Sequence, residues 1–124
     1  MDDSPLRVAV VDDDDDLRAM VALSLRLSHG CELLSCASAE QALRELPAFR
    51  PDVIVLDYMM PRMDGLQALK ALAGCMDLSD TKVVVTSAAE LPESSLRAQG
   101  ASAMLPKPFD ALRLGDYLNE LCGR

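Results

Sequence analysis

The sequence is short of positive charge and of long apolar runs. Its 124 residues carry 12 lysines and arginines against 20 aspartates and glutamates, which gives a formal net charge of -8 at pH 7. A nucleic-acid surface needs a basic stripe, and anionic membranes attract basic segments. We therefore expect no direct contact with nucleic acid or membrane. No apolar run reaches the roughly 18 residues that a membrane span needs.

Metal-binding cysteine pairs and a secretion signal are also missing. His29 is the only histidine, and no C-x-x-C pair occurs among the four cysteines, Cys31, Cys36, Cys75 and Cys122. A zinc site is not expected, and the cysteines are interpreted as small apolar residues in a reducing compartment. The N-terminal MDDSPL is acidic and has no hydrophobic segment. We therefore expect a cytoplasmic protein, with residues 1–124 forming a single domain.

Short apolar runs rich in valine recur along the chain. VAVV at 8–11, VIVL at 53–56 and VVV at 83–85 do not alternate with polar residues. Such runs are typical of parallel strands that are buried on both faces. Weaker strand candidates are ELLSC at 32–36 and SAMLP at 102–106.

Segments with helical periodicity separate these runs. After the first run, one helix face is predicted to contain Leu17, Met20, Val21 and Leu25. Ser38 and Gln41 form a capping-box pattern, which predicts a helix over about 39–46. The order of strand then helix, repeated five times, predicts an α/β fold in which a five-stranded parallel sheet lies between layers of helices.

Charged and hydroxyl-bearing residues directly follow or end the predicted strands: Asp12 and Asp13 at the first, Asp57 at the third, Thr86 and Ser87 at the fourth, and Lys107 at the fifth. Ligands of doubly wound sheets bind beyond the carboxyl ends of the strands. These residues are therefore predicted to meet at one rim of the sheet.

Three carboxylates at one rim require a positive partner. Two carboxylates about 4 Å apart repel by roughly 4 kcal/mol at an effective dielectric constant near 20. Mg²⁺ binds one or two carboxylates together with water and phosphate oxygens. Asp12 and Asp13 are therefore predicted metal ligands. Asp57 is a candidate for both a ligand and a nucleophile, because carboxylates can attack phosphorus and form an aspartyl phosphate.

Four fragments in this order, VVDDDDDLR, VIVLDYMMPRMDG, VVVTSA and LPKPF, closely resemble the receiver domain of two-component response regulators. The resemblance covers roughly residues 6–122. It implies a flavodoxin-like (βα)5 fold and phosphoryl transfer from a sensor histidine kinase or a histidine phosphotransfer protein. It also implies an output protein, or a C-terminal effector domain outside this chain.

The resemblance also implies roles for residues at the rim. Asp57 would be the phosphoacceptor. Asp13 would bind Mg²⁺ directly and Asp12 largely through water, while the backbone carbonyl of Met59 would be a further ligand. Lys107 would bind the phosphoryl group.

The sequence has two candidates for the switch hydroxyl and departs from the family at the switch side chain. The resemblance implies that Ser87 is the hydroxyl, but a register shift of one residue would exchange it for Thr86. The family usually has Tyr or Phe three residues before the lysine, whereas this chain has Met104. The departure bears on the usual output face, and not on the phosphorylation chemistry. The resemblance further implies a cis peptide bond between Lys107 and Pro108.

Two other functions compete with that of a phosphoaccepting signalling domain. A small phosphatase or phosphotransferase would turn over an aspartyl phosphate, but the chain has no insertion that could build a cap over a substrate. A degenerate receiver would only bind partners, and the complete acidic set argues against it. We therefore predict a domain that catalyses only its own phosphorylation and dephosphorylation, rather than an enzyme. The remaining aspartates of the run, Asp14 to Asp16, are interpreted as favourable charges at a helix N-terminus.

Overall fold

The computed structural model describes residues 4–28 and 30–124, so His29 lies outside the described residues. Within them, five strands and five helices alternate: β1 (Arg7–Val11), α1 (Asp15–Ser28), β2 (Glu32–Cys36), α2 (Ala39–Phe49), β3 (Val53–Asp57), α3 (Gly65–Ala73), β4 (Lys82–Ser87), α4 (Glu93–Ala98), β5 (Ala103–Pro106) and α5 (Ala111–Leu121). The predicted alternation is confirmed. None of the helices in this described part is both long and apolar enough to cross a bilayer.

All five strands pair in parallel in one sheet of order β2-β1-β3-β4-β5. The predicted α/β fold class is therefore confirmed. The chain first moves from β1 outward to β2, and then returns to add β3 on the other side of β1. This reversal makes the carboxyl ends of β1 and β3 neighbours, which is where ligands bind in doubly wound sheets.

Both faces of the three central strands, β1, β3 and β4, are buried, which explains why their sequences do not alternate. Alternate side chains of a strand point to opposite faces. Val10 and Val55 pack with α1 and α5, whereas Val11 and Leu56 pack with α2, α3 and α4. Burial of each such side chain contributes about 1.5–3 kcal/mol relative to exposure. These two apolar layers hold the strand ends in fixed positions.

Two helix expectations need correction. The predicted helix over 39–46 extends to Phe49, because Pro47 is accommodated near its C-terminal end. Met20, predicted on the packed face of α1, is 59% exposed. The packed stripe instead includes Ser24, whose buried hydroxyl donates to the carbonyl of Ala111 at 2.7 Å. The hydrogen bond ties α1 to the start of α5.

Candidate functional site

The strand register brings the predicted carboxylates together at the rim. Val11 of β1 pairs with Leu56 of β3, so Asp12 and Asp57 stand side by side at the strand ends. Both are buried, with 2% and 4% exposure, while Asp13 is exposed. One carboxylate oxygen from each of the three lies within 4.8 Å of those of the other two. The cluster therefore has two buried members and one that faces solvent.

Lys107 reaches into this cluster from the end of β5. Its Nζ lies 2.9 Å from Oδ2 of Asp12 and 3.3 Å from Oδ1 of Asp57. Its backbone N–H donates to the carbonyl of Ser87 at 2.9 Å, which anchors the lysine to the end of β4. The Lys107–Pro108 peptide bond is cis, as expected. Asp12 and Lys107, which are 95 positions apart in the chain, thus meet at the rim of the sheet.

The electrostatics of the cluster show crowding of negative charge. Burial raises the pKa of Asp57, and the charge of Asp12 raises it further, although Lys107 acts in the opposite direction. Partial burial alone would lower the pKa of Lys107, but its hydrogen bond to Asp12 and the charges of both buried aspartates outweigh that effect and raise it. Ionised carboxylates and one ammonium leave a formal charge of -2 on the cluster.

This donor set fits a hard divalent cation. The three carboxylates supply only oxygen ligands, which Mg²⁺ and Ca²⁺ prefer, and two positive charges would balance the cluster. Met59 lies beside the carboxylates, because its N–H donates to Oδ1 of Asp57 at 3.3 Å. The role of its carbonyl as a further ligand stays a prediction.

Short backbone contacts hold the loop that follows Asp57. The N–H of Tyr58 donates to the carbonyl of Thr86 at 2.9 Å, and the N–H of Gly65 donates to the carbonyl of Tyr58 at 2.7 Å. A Cβ atom at Gly65 would lie only 2.8 Å from Cα of Tyr58. The glycine is therefore needed for a close approach between backbones.

The aspartate run divides into distinct roles. Asp12 belongs to the cluster and also accepts from the N–H of Asp14 at 2.9 Å. Asp14 caps α1, since its Oδ1 accepts from the N–H groups of Asp16 and Leu17 at 3.0 and 3.1 Å. Asp15 forms an ion pair with Arg18. The interpretation of these later aspartates as charges that serve the helix N-terminus is confirmed.

The two hydroxyl candidates lie on different sides of β4. Thr86 pairs directly with Asp57, whereas Ser87 follows it and pairs with Pro106. Both are buried, and Oγ of Ser87 accepts from the N–H of Ala89 at 3.0 Å. Both hydroxyls therefore remain candidates, and the assignment to Ser87 stays a prediction.

One contact near the site has no signal in the sequence. Nε of Arg62, in the loop after Asp57, lies 3.3 Å from Oε1 of Glu40 at the start of α2. Arg62 also has a positive φ of 70°. Neither periodicity nor a short motif indicates this ion pair, because it depends on how α2 packs beside the loop.

Comparison with known proteins decides the family. The profile of the response regulator receiver domain matches residues 8–119. The chain belongs to this family. The receiver domain is similar to the transcriptional regulatory protein PrrA of Mycobacterium tuberculosis, with 42% identity over 105 residues that cover 83% of the chain and 44% of PrrA. The response regulator MprA of Mycolicibacterium vanbaalenii is 36% identical over 107 residues, which cover 85% of the chain and 45% of MprA.

Solved structures agree with this receiver fold. The chemotaxis protein CheY4 of Vibrio cholerae superposes with a TM-score of 0.85 and 30% identity, over 95% of this chain and 99% of CheY4. The receiver domain of the Francisella response regulator 1452 gives a TM-score of 0.81 and 30% identity, with 98% of both chains covered. The receiver domain described here spans less than half of the length of PrrA and MprA, but nearly the whole of these two structures.

Proposed function

We propose that this receiver domain works in a phosphorelay, in which Asp57 accepts a phosphoryl group from a phosphohistidine in a Mg²⁺-dependent reaction. Residues 1–124 would act as one receiver unit. The observation that supports this proposal most strongly is the burial of Asp57 beside Asp12, within reach of Lys107 and of the exposed Asp13. A carboxylate held in such a cluster can act as a nucleophile toward phosphorus.

The transfer exchanges one bond for another. A carboxylate oxygen of Asp57 attacks phosphorus, a new P–O bond forms, and the P–N bond of the donor breaks with its electron pair going to the imidazole. Lys107 lies 3.3 Å from Asp57 and would bind a phosphoryl oxygen. Asp12, Asp13, Asp57 and the carbonyl of Met59 would hold Mg²⁺, which supplies positive charge for the phosphoryl oxygens.

A protein donor is supported by an apolar groove between α1 and the start of α5. The groove has a volume of about 360 Å³ between α1 and the start of α5, and its apolar lining includes Met20, Leu23, Leu27, Phe109 and Leu112. The groove is linked to the cluster through the chain, because Phe109 follows Lys107 by two residues. We therefore propose a sensor histidine kinase or a histidine phosphotransfer protein as the donor. We also propose that the receiver domain is cytoplasmic.

The partner that responds to phosphorylation is a separate question from the phosphorylation reaction itself. PrrA is named as a transcriptional regulatory protein, and it is more than twice as long as the matched segment. We propose that the phosphorylated receiver switches a contact with an output protein or with an effector domain of a longer chain. Its net charge of -8 favours a protein partner over direct binding to nucleic acid.

Incubation with acetyl phosphate and Mg²⁺, followed by intact-mass measurement, tests the proposed function. The parent should gain one alkali-labile phosphoryl group, and Asp57→Asn should gain none. Asp80→Asn removes an exposed carboxylate away from the cluster and should behave as the parent. Phosphorylation of the Asp57→Asn variant, or a folded parent that gains no phosphoryl group, would contradict the proposal. Turnover of many equivalents of phosphate esters would instead favour the enzyme alternative.

A further inference from the structure

An open pocket lies beside the end of β4, on the side of the sheet that α4 covers. Its volume is about 440 Å³, and its walls include Ser87, Leu91 and Met104. Pockets of roughly 300–1,000 Å³ hold small ligands, and a cavity of roughly 150 Å³ already admits benzene. The pocket is therefore large enough for an aromatic side chain.

Met104 gives this pocket a wall suited to an aromatic ring. It pairs with Val85 in the sheet register, and its half-buried side chain packs against the core cluster beneath. Thioether sulfur is polarizable and makes favourable contacts with aromatic rings. Leu91, which is also half-buried, supplies a second apolar wall. A ring between these two side chains would contact sulfur and aliphatic carbon.

The charge at the rim of the pocket has one sign. Glu90 and Glu93 line the pocket and are exposed. Neither has an ion-pair partner in the ranges 4–28 and 30–124, and no lysine or arginine is among the pocket's lining residues there. An occupant that carries positive charge beside its ring would therefore meet complementary charge.

We propose that this pocket binds an aromatic side chain from a partner protein, in a segment where basic residues flank the ring. The ring would enter between Leu91 and Met104, and the flanking cations would pair with Glu90 and Glu93. The proposal goes beyond the phosphorelay function and does not depend on it, because the pocket is present in the unphosphorylated chain.

Titration with the blocked tripeptide acetyl-Arg-Trp-Arg-amide tests this proposal on the unphosphorylated protein. The chain has no tryptophan, so all tryptophan emission comes from the peptide. Binding should give a saturable blue shift of that emission. In methyl NMR spectra, the ring should shift the Met104 methyl signal, which is assigned by its loss in Met104→Leu.

Variants show whether the peptide binds in this pocket, and they distinguish the contribution of the ring from that of the charges. Met104→Phe should fill the pocket and weaken binding at least tenfold, whereas Met104→Leu keeps the side-chain size and should change it less than threefold. The double substitution of Glu90 and Glu93 by Gln should weaken binding about threefold to tenfold, in line with exposed ion pairs. Glu120→Gln removes an exposed charge on α5 and should leave the affinity unchanged. Circular dichroism confirms that each variant is folded.

Several outcomes would overturn the proposal. They are the absence of saturable binding up to millimolar peptide, equal binding of acetyl-Glu-Trp-Glu-amide, and unchanged affinity in folded Met104→Phe. Equal affinity for the uncharged blocked tryptophanamide would also overturn it, because the ring would then bind without any contribution from the flanking cations. None of these outcomes bears on whether Asp57 accepts a phosphoryl group, so the two proposals can fail separately.

Discussion

At the scale of single residues, Asp57 and Lys107 dominate the electrostatics of the site. Asp57 is a buried carboxylate whose pKa is raised by burial and by Asp12, so its negative charge is poorly compensated. Lys107 contacts both buried aspartates and keeps its ammonium charged, because their combined effect raises its pKa. A negative group that arrives at Asp57 therefore needs more positive charge than Lys107 alone can offer.

Substitutions of Ser87 and Thr86 test which of the two hydroxyls assists phosphorylation. Ser87→Ala should slow phosphorylation by acetyl phosphate roughly tenfold to a hundredfold, since a hydrogen bond to a charged group contributes about 1.5–3 kcal/mol. Thr86→Val should stay within about twofold of the parent. The initial rate, followed by intact mass, checks both variants. The reverse order of effects would assign the role to Thr86.

At the scale of elements, the loops after the strands are held by the backbone as much as by side chains. The loop between β3 and α3 is fixed by the contact of Gly65 with Tyr58 and by the cap of α3. In that cap, Asp64 accepts from the N–H of Gln67 at 2.8 Å, and the Gln67 side chain accepts from the N–H of Asp64 at 2.9 Å. Asp57 therefore stands between a rigid strand and a rigid helix start.

Gly65→Ala tests the close approach in this loop. The new Cβ would lie 2.8 Å from Cα of Tyr58, so the backbone has to move. We expect a loss of about 1–3 kcal/mol in the free energy of unfolding and a lower melting temperature. Gly74→Ala is the matched control, because its Cβ would meet nothing closer than 3.4 Å. A parent-like melting temperature for Gly65→Ala would show that the loop adapts freely.

At the scale of the whole molecule, the fold holds negatively charged side chains close together at one end of a well-packed sheet. Two apolar layers fix β1 and β3 side by side, and this fixes Asp12 next to Asp57. The packing thus stabilises an arrangement that its own charges oppose. A bound divalent cation would relieve the repulsion and should raise the stability of the folded state.

Thermal melting with and without chelator measures this repulsion. In chelator, Asp13→Asn and Asp57→Asn should each melt a few degrees above the parent, because about 1 kcal/mol shifts a domain of this size by roughly 3–6 °C. For Asp57→Asn the direction follows from the raised pKa of Asp57, since ionising it costs folding free energy and asparagine has no charge. For Asp13→Asn it follows from the removal of one of three clustered negative charges. Added Mg²⁺ should stabilise the parent more than either variant. The picture of crowded carboxylates fails if both variants melt at or below the parent without metal, while Asp80→Asn melts as the parent does.

The sequence predicts the strands and the composition of the rim well, because both depend on local patterns. The valine runs at 53–56 and 83–85 identify strands within two residues at each end, and Asp57 and Thr86, which follow them, are paired in the sheet. Contacts that depend on packing are beyond such patterns. Three features depend on how neighbouring helices and loops pack on the sheet. They are the exposure of Met20, the close approach of Gly65 to Tyr58 and the pocket beside Met104.

The most direct test of the central claim is to locate the phosphoryl group itself. After treatment with acetyl phosphate and Mg²⁺, borohydride reduces an aspartyl phosphate to homoserine, which peptide mass mapping places in the sequence. We predict homoserine at position 57 alone, and none when Mg²⁺ is replaced by chelator. Homoserine at position 12 or 13, or a phosphorylated protein with an unchanged residue at position 57, would contradict the account.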